Sequence, residues 1–139
     1  MGRKVLVATD GSEHSMKAVE KALELAENEN AEVTLMAVAF YAKEDFDEMP
    51  LNIQEKLESQ DLAALSKGKT AFEQKGINVS TVMEAGVVPA NNIIARATED
   101  KFDEIIMGST GVSGFMRLLM GSTAAKVVQH APCCVTIVR

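Results

Sequence analysis

The heptapeptide Gly108-Ser109-Thr110-Gly111-Val112-Ser113-Gly114 follows directly on the apolar run Ile105-Ile106-Met107, and Gly121-Ser122-Thr123 stands shortly beyond it. Residues without a Cβ let backbone N–H groups come close to an anion, and Ser and Thr hydroxyls add donors with little bulk. Gly121-Ser122-Thr123 opens the amphipathic run Ala124 to Ala131, which adds the free N–H groups and positive dipole end of a helix. Two donor clusters converging on one phosphate is the chemistry this spacing suits. A loop whose glycines serve turns only is the alternative for a lone glycine pair, and the density of Gly, Ser and Thr here argues against it.

Other reactive residue types are less organised. Asp10 sits in Thr9-Asp10-Gly11 after an apolar run, where an Asp is often a turn former and helix-start cap. Arg117 and Lys126 are the cations near the glycine segment, each read as a solvated face rather than a phosphate ligand. His14 and His130 lie far apart without carboxylate or cysteine company at metal-ligand spacing. Cys133 and Cys134 are adjacent, which fits neither a disulfide framework nor a C-x-x-C site, and they read as two small apolar residues entering a strand. Gly68-Lys69-Thr70 ends like a P-loop, but Ala63 replaces the required glycine and the stretch lies inside a helical pattern, so it reads as helix surface.

The elements that must position these residues alternate along the chain. Near-continuous apolar runs at Lys4 to Ala8 and Val33 to Ala39 suit strands buried on both faces of a parallel sheet, and Asn78 to Met83, Glu104 to Met107 and Cys134 to Val138 supply the others. Between them, Val19, Ala22, Leu23 and Ala26 mark one helix face, and Leu57, Ala64, Leu65 and Phe72 a longer second. Ile93, Ile94 and Ala97 mark a third, and Ala124, Val127, Val128 and Ala131 a fourth. Ser12 is the expected N-cap of the first helix, Gly76 a stop for the second and Pro132 the end of the fourth. The acidic stretch Tyr41 to Asn52, with Pro50, reads as a loop after the second strand; a solvated connection is preferred, and a mobile lid is the alternative.

Such alternation predicts an α/β fold: one doubly wound parallel sheet of five strands flanked by helices, with ligands outside the carboxyl ends of the strands at the topological switch point. If the order is 3-2-1-4-5, the switch lies between strands one and four, which end at Thr9-Asp10-Gly11 and at Gly108. Periodicity does not supply that order. The glycine loop then falls where the architecture places a ligand.

Composition narrows the function classes. The 139 residues fit a single domain, 1–139, with its own core. A net charge of −6, with 14 basic residues scattered along the chain, gives no basic stripe for a nucleic-acid backbone. Met1-Gly2-Arg3-Lys4 leads into only about five apolar residues before Asp10, too short for a signal-peptide core, and no run approaches the roughly 18 residues of a membrane span. The expectation is a cytoplasmic protein with reduced thiols and neither nucleic-acid nor membrane partners. The last run, Val135 to Val138, reads as an apolar edge strand that invites pairing with a second copy, hence a homodimer.

With Gly108, Gly111, Gly121 and Ser122 matching G-x2-G-x9-G-[ST], an opening Val-Ala-Thr-Asp-Gly-Ser and a closing Ala-Pro-Cys-Cys-Val-Thr-Ile-Val, the whole chain resembles the universal stress protein family. The resemblance implies a Rossmann-like, adenine nucleotide alpha hydrolase-like fold and an ATP-binding member, with Mg2+ or Mn2+ on the phosphates left open. By position, Ala8, Thr9 and Asp10 would line the nucleotide pocket, and Val38 would offer backbone groups to adenine. Gly108, Ser109, Thr110, Gly111, Val112, Ser113 and Gly114 would wrap ribose and phosphates, with Gly121, Ser122 and Thr123 closing on the phosphates. The Asp10 carboxylate suits ribose or base better than a metal, since one carboxylate makes a poor metal site. Thr110 departs from the bulkier His or Arg common there, implying weaker phosphate affinity, and Cys134 stands where Pro is usual. The resemblance also implies dimerisation through the last strand and a stress-response regulator whose nucleotide occupancy controls dimer or partner contacts. Two other readings stay open. One is a slow ATP hydrolase or a nucleotidyl- or phosphoryl-transfer enzyme, for which the residues supply no assembled charge-stabilising set. The other is a nucleotide-free dimerisation module.

Overall fold

A computed structural model describes residues 2–109 and 121–139. The strands are β1 (Lys4–Ala8), β2 (Glu32–Ala39), β3 (Ser80–Ala85), β4 (Glu104–Gly108) and β5 (Cys134–Val138), and the helices α1 (Glu13–Glu29), α2 (Leu51–Glu73), α3 (Pro89–Glu99) and α4 (Ser122–His130). All strand pairings are parallel, in the order β3-β2-β1-β4-β5. The switch point therefore lies between β1 and β4, as that order requires.

The central strand explains why both faces are covered. Val5 and Val7 point to one side, where α1 and α2 bring Val19, Leu23, Leu65 and Phe72. Leu6 points to the other, where α3 and α4 bring Ile93, Ala97, Ala124 and Val127. This side-to-side alternation within a continuously apolar strand is what a doubly wound sheet demands.

Local signals set the helix ends. The Ser12 side chain accepts from Ser15 N–H and caps α1, while α4 starts at Gly121 without a side-chain cap and ends before Pro132. After α2, Gly76 takes φ +67°, the left-handed turn that sends the chain back toward β3.

The larger departures from the sequence expectation are at β3 and at the start of α2. β3 runs over Ser80–Ala85 rather than 78–83, because it follows its pairing with β2 from Thr34↔Ser80 to Ala39↔Ala85. Ile77 and Val79 pack on the core before pairing starts. Glu84, unexpected in a strand, is held by Arg96 on α3 at 2.6 Å and by the Asn92 amide at 3.0 Å. The stretch expected as a loop over 41–52 contains a 3-10 turn at Lys43–Glu48, and Pro50 serves as N-cap, so Leu51 and Asn52 already belong to α2. Proline fixes a φ compatible with a helix start, so here it begins a helix rather than extending a loop.

Candidate functional site

The carboxyl ends of β2, β1 and β4 open into one cavity of about 630 Å³. Its floor is made by Met36 and Val38 from β2, Ala8, Thr9 and Asp10 from β1, and Met107, Gly108 and Ser109 from β4. Two hydrogen bonds explain how the glycine-bearing ends meet. Ser109 N–H donates to the Val138 carbonyl at 2.9 Å, continuing the β4–β5 ladder, and Gly121 N–H donates to the Ser109 carbonyl at 2.7 Å. The start of α4 is thereby held against the end of β4, and Ser122, Thr123 and Ala124 face the cavity. The N-cap of α4 is Gly121, which has no side chain to cap the first turn, and a helix N-terminus of this kind suits an anion.

Gly108 also has a packing reason. A Cβ there would lie 2.8 Å from the His14 backbone carbon, so glycine is what lets α1 approach the end of β4. Ser109, buried, has its hydroxyl 3.5 Å from His14 Nδ1.

Thr9, Asp10 and the start of α1 are knit together. Thr9 Oγ1 lies 3.1 Å from Ser15 Oγ, and Asp10 Oδ1 accepts from Ser12 N–H at 3.0 Å. Gly11 completes the turn at φ +82°. The turn-forming role of Asp10 is thus present in the structure, and the same side chain lines the cavity. On β2, the Met36 carbonyl accepts from Thr9 N–H at 2.9 Å. Alternate residues of a strand direct their backbone groups to the same neighbour, so the N–H and C=O of Val38 point the same way, past the end of β1 and toward the cavity.

Of the residues expected at the site, Ala8, Thr9, Asp10, Val38, Gly108, Ser109, Gly121, Ser122 and Thr123 are brought together around this one space. Thr110, Gly111, Val112, Ser113 and Gly114 lie outside the described residues, as does Arg117. Gly68-Lys69-Thr70 lies within α2 with Gly68 turned into the core and Lys69 and Thr70 exposed, away from the cavity. Among the described residues no group of three or more His, Cys, Asp or Glu side chains is placed to hold a metal ion. The Cys133 thiol is pushed up by burial, with Cys134 next in effect, which suits a packed apolar residue better than a reactive thiolate.

The sequence reading missed the cavity's outer wall, contributed by α2. Ile53, Leu57 and Asp61 recur at helical spacing along one stripe, with Lys56 and Gln60 beside it, while Pro89 and Ile93 come from the start of α3. Phe40, at the rim just after β2, is 67% exposed. The α2 stripe carried a signal: Ile53 and Leu57 extend its core-facing pattern by two turns past the last residue the core needs. Asp61 is the electrostatically unusual group. Burial pushes its carboxyl up to about 6, Asp10 and then Glu58 add repulsion, and its own backbone N–H offsets part of the rise.

At the far edge of α2, Tyr41 and Phe46 stack with centroids 4.6 Å apart, and Tyr41 OH donates to Glu58 at 2.9 Å. The Gln54 amide donates to the carbonyls of Phe46 and Met49. Burial and the Glu58 carboxylate push the Tyr41 hydroxyl up to about 12. These contacts pin the acidic 3-10 turn to α2.

With this geometry in place, the chain can be set beside known proteins. The family model described as the universal stress protein family matches residues 1–139. A universal stress protein of Methanocaldococcus jannaschii is 36% identical, over 99% of this chain and 82% of that protein. Among solved structures, the universal stress protein UspA from Lactobacillus plantarum is 27% identical with a TM-score of 0.77, covering 99% of this chain and 97% of the other. A universal stress protein solved in complex with cAMP is 25% identical with a TM-score of 0.78, covering 99% of this chain and 97% of that one. Among the described residues no helix is long and apolar enough to cross a membrane.

Proposed function

The chain belongs to the universal stress protein family, and from that premise we propose that its single domain, 1–139, is a regulatory module whose cavity binds an adenine nucleotide, ATP foremost. The observation that carries the proposal is the polarity of the cavity. One end, at Met36, Val38, Ile53, Leu57 and Ile93, is lined by apolar side chains, which suits a purine, with the Val38 backbone to meet its edge. The other end gathers Ser109, Gly121, Ser122, Thr123 and the uncapped start of α4, which suits phosphate. A relative of the same fold is solved in complex with cAMP, which supports an adenine nucleotide as the class of ligand.

In this reading Thr9, Asp10 and Ala8 lie under the nucleoside, and Gly108 to Gly114 with Gly121 to Thr123 hold sugar and phosphates. Any Mg2+ or Mn2+ would come with the phosphates, and among the described residues no carboxylate cage is placed for it. Binding energy that differs between two states of a surface shifts their populations. Occupancy would act in that way on a dimer contact at β5 or on a protein partner, in a cytoplasmic stress response.

The test is to purify the protein without added nucleotide, denature it and identify co-purified ligand by mass spectrometry, for wild type, Gly121→Val and Lys69→Ala. Gly121 has φ −63°, which valine tolerates, so the substitution does not strain the backbone. ATP in wild type and Lys69→Ala but not in Gly121→Val is expected. ATP that stays intact over hours supports the regulator, and steady ADP production would replace it with the slow hydrolase. No nucleotide in wild type, and no calorimetric binding of Mg-ATP, would overturn the reading and leave a nucleotide-free dimerisation module.

A further inference from the structure

Resting on the reading of the cavity as an adenine-nucleotide site, we infer that Asp61, reaching in from α2, joins Asp10 as a carboxylate clasp on the ribose 2′- and 3′-hydroxyls, so that the protein selects ribonucleotides over deoxy forms. The argument starts from position. Asp10 lies two residues beyond the central strand β1, with the apolar β2 side of the cavity on its left and the phosphate-suited β4 and α4 side on its right. Neighbouring strands are about 4.8 Å apart, so β2 to β4 spans about 10 Å, close to the separation of a base from its 5′-phosphate. A nucleotide laid along this line with its base over β2 and its phosphates at α4 places its sugar over β1, at Asp10.

Asp61 comes to the same level from the opposite wall. Along α2 the cavity-facing stripe changes from Ile53 and Leu57 to Asp61 one turn later, so the wall is apolar at the base and anionic at the sugar. The two carboxylates are near enough that the Asp10 charge helps hold the Asp61 carboxyl up at about 6. The charged and titratable groups around Asp61 are Asp10 from the end of β1 and, from its own helix, Glu58 and the cavity-lining Lys56. No Lys or Arg forms an ion pair with Asp61 among the described residues.

Above about pH 6 the Asp61 carboxyl is ionised, and an ionised carboxylate only accepts hydrogen bonds. Of the three parts of a nucleotide, the phosphates carry like charge and are repelled, and the base lies over the apolar wall. The ribose presents two hydroxyl donors at the level of the pair. A hydrogen bond to a charged acceptor also offsets the repulsion the pair carries when empty. Removing those donors takes the ligand's hydrogen bonds away from the cavity-lining Asp61 carboxylate, which is where discrimination against a deoxy sugar arises.

The experiment is calorimetry at pH 7.5 with AMP and with 2′,3′-dideoxyadenosine 5′-monophosphate, on wild type, Asp61→Ala and Lys69→Ala. Alanine is the best helix former and Asp61 is half-exposed, so α2 should tolerate the change. Wild type and Lys69→Ala are expected to prefer AMP by about tenfold or more, the scale of hydrogen bonds to charged groups. In Asp61→Ala that preference should fall severalfold, with the dideoxy analogue bound as well as before or better. An AMP-to-dideoxy ratio unchanged in Asp61→Ala, or no preference in wild type, overturns the clasp while leaving the nucleotide site standing. Failure of wild type to bind either nucleotide overturns both.

Discussion

Asp61 illustrates how a side chain that helps a ligand works against the empty fold. Its carboxyl rises from 3.8 to about 6 in the folded chain because burial and the Asp10 charge penalise ionisation. Between those values the native state holds a proton that the unfolded chain has released. By linkage, stability falls as pH rises through that window: the favourable contribution is complete below about 3.8 and gone above about 6. Asp61→Asn, which cannot ionise, should therefore match wild type near pH 3.5 and melt higher at pH 8. Partial exposure keeps the gap modest, and thermal melts of both proteins at the two pH values read it. An equal gap at both pH values would mean that the substitution acts through packing rather than through charge. At this same scale the sequence disclosed Asp10, because Asp-Gly after an apolar run is a recognisable turn, whereas Asp61 sits in mid-helix among other acidic residues. What singles it out is tertiary: the fold brings it to the same cavity as Asp10.

Among the elements, the strands and α1, α3 and α4 were legible because apolar period, an N-cap serine and a terminating proline all agreed. The start of α2 was not. Its first turns carry Leu51 and Ile53, 68% and 40% exposed, and follow four acidic residues and a proline, so composition there suggests a loop. What makes it a helix is tertiary: Gln54 ties down the carbonyls of Phe46 and Met49, and Tyr41 reaches Glu58. These are contacts between positions up to 17 residues apart, which no local period encodes. The same contacts predict how the acidic turn behaves. Tyr41→Phe keeps the stack on Phe46 but removes the bond to Glu58, at a cost of about 1 kcal/mol. Limited digestion with a glutamate-specific protease should then cut at Glu44 or Glu48 several times faster than in wild type. Added nucleotide is expected to leave the wild-type cleavage rate unchanged, as for a pinned connection, and strong protection would instead identify the turn as a lid over the cavity.

At the scale of the molecule, the strand order 3-2-1-4-5 entered as a condition rather than from period, since alternating strands and helices are compatible with several sheet orders, and the structure has that order. What the order decides is which strands are left at the edges. β5 is one of them, and its backbone sorts into two sets. The Val138 carbonyl accepts from Ser109 N–H on β4, so Val138, Thr136 and Cys134 direct their backbone groups inward to the sheet. Val135 and Ile137 then direct theirs outward, to an edge that pairs with no further strand among the described residues. The Thr136 hydroxyl, bonded at 2.7 Å to the buried Glu104 carboxylate that Arg3 also pairs, fixes that register from within. An edge that presents free N–H and C=O groups is a template for another strand, and a second copy of this chain offers the same edge about a two-fold axis. If the homodimer forms there, Ile137→Pro removes an outward donor and leaves the β4 ladder bonded. Thr136→Pro removes an inward donor and damages the fold itself. Light scattering at micromolar concentration should therefore give twice the chain mass for wild type and a folded monomer for Ile137→Pro, whereas Thr136→Pro should lose cooperative melting. A dimer that persists in Ile137→Pro would place the contact elsewhere, and a monomeric wild type would leave any regulatory effect of nucleotide to act on a different protein.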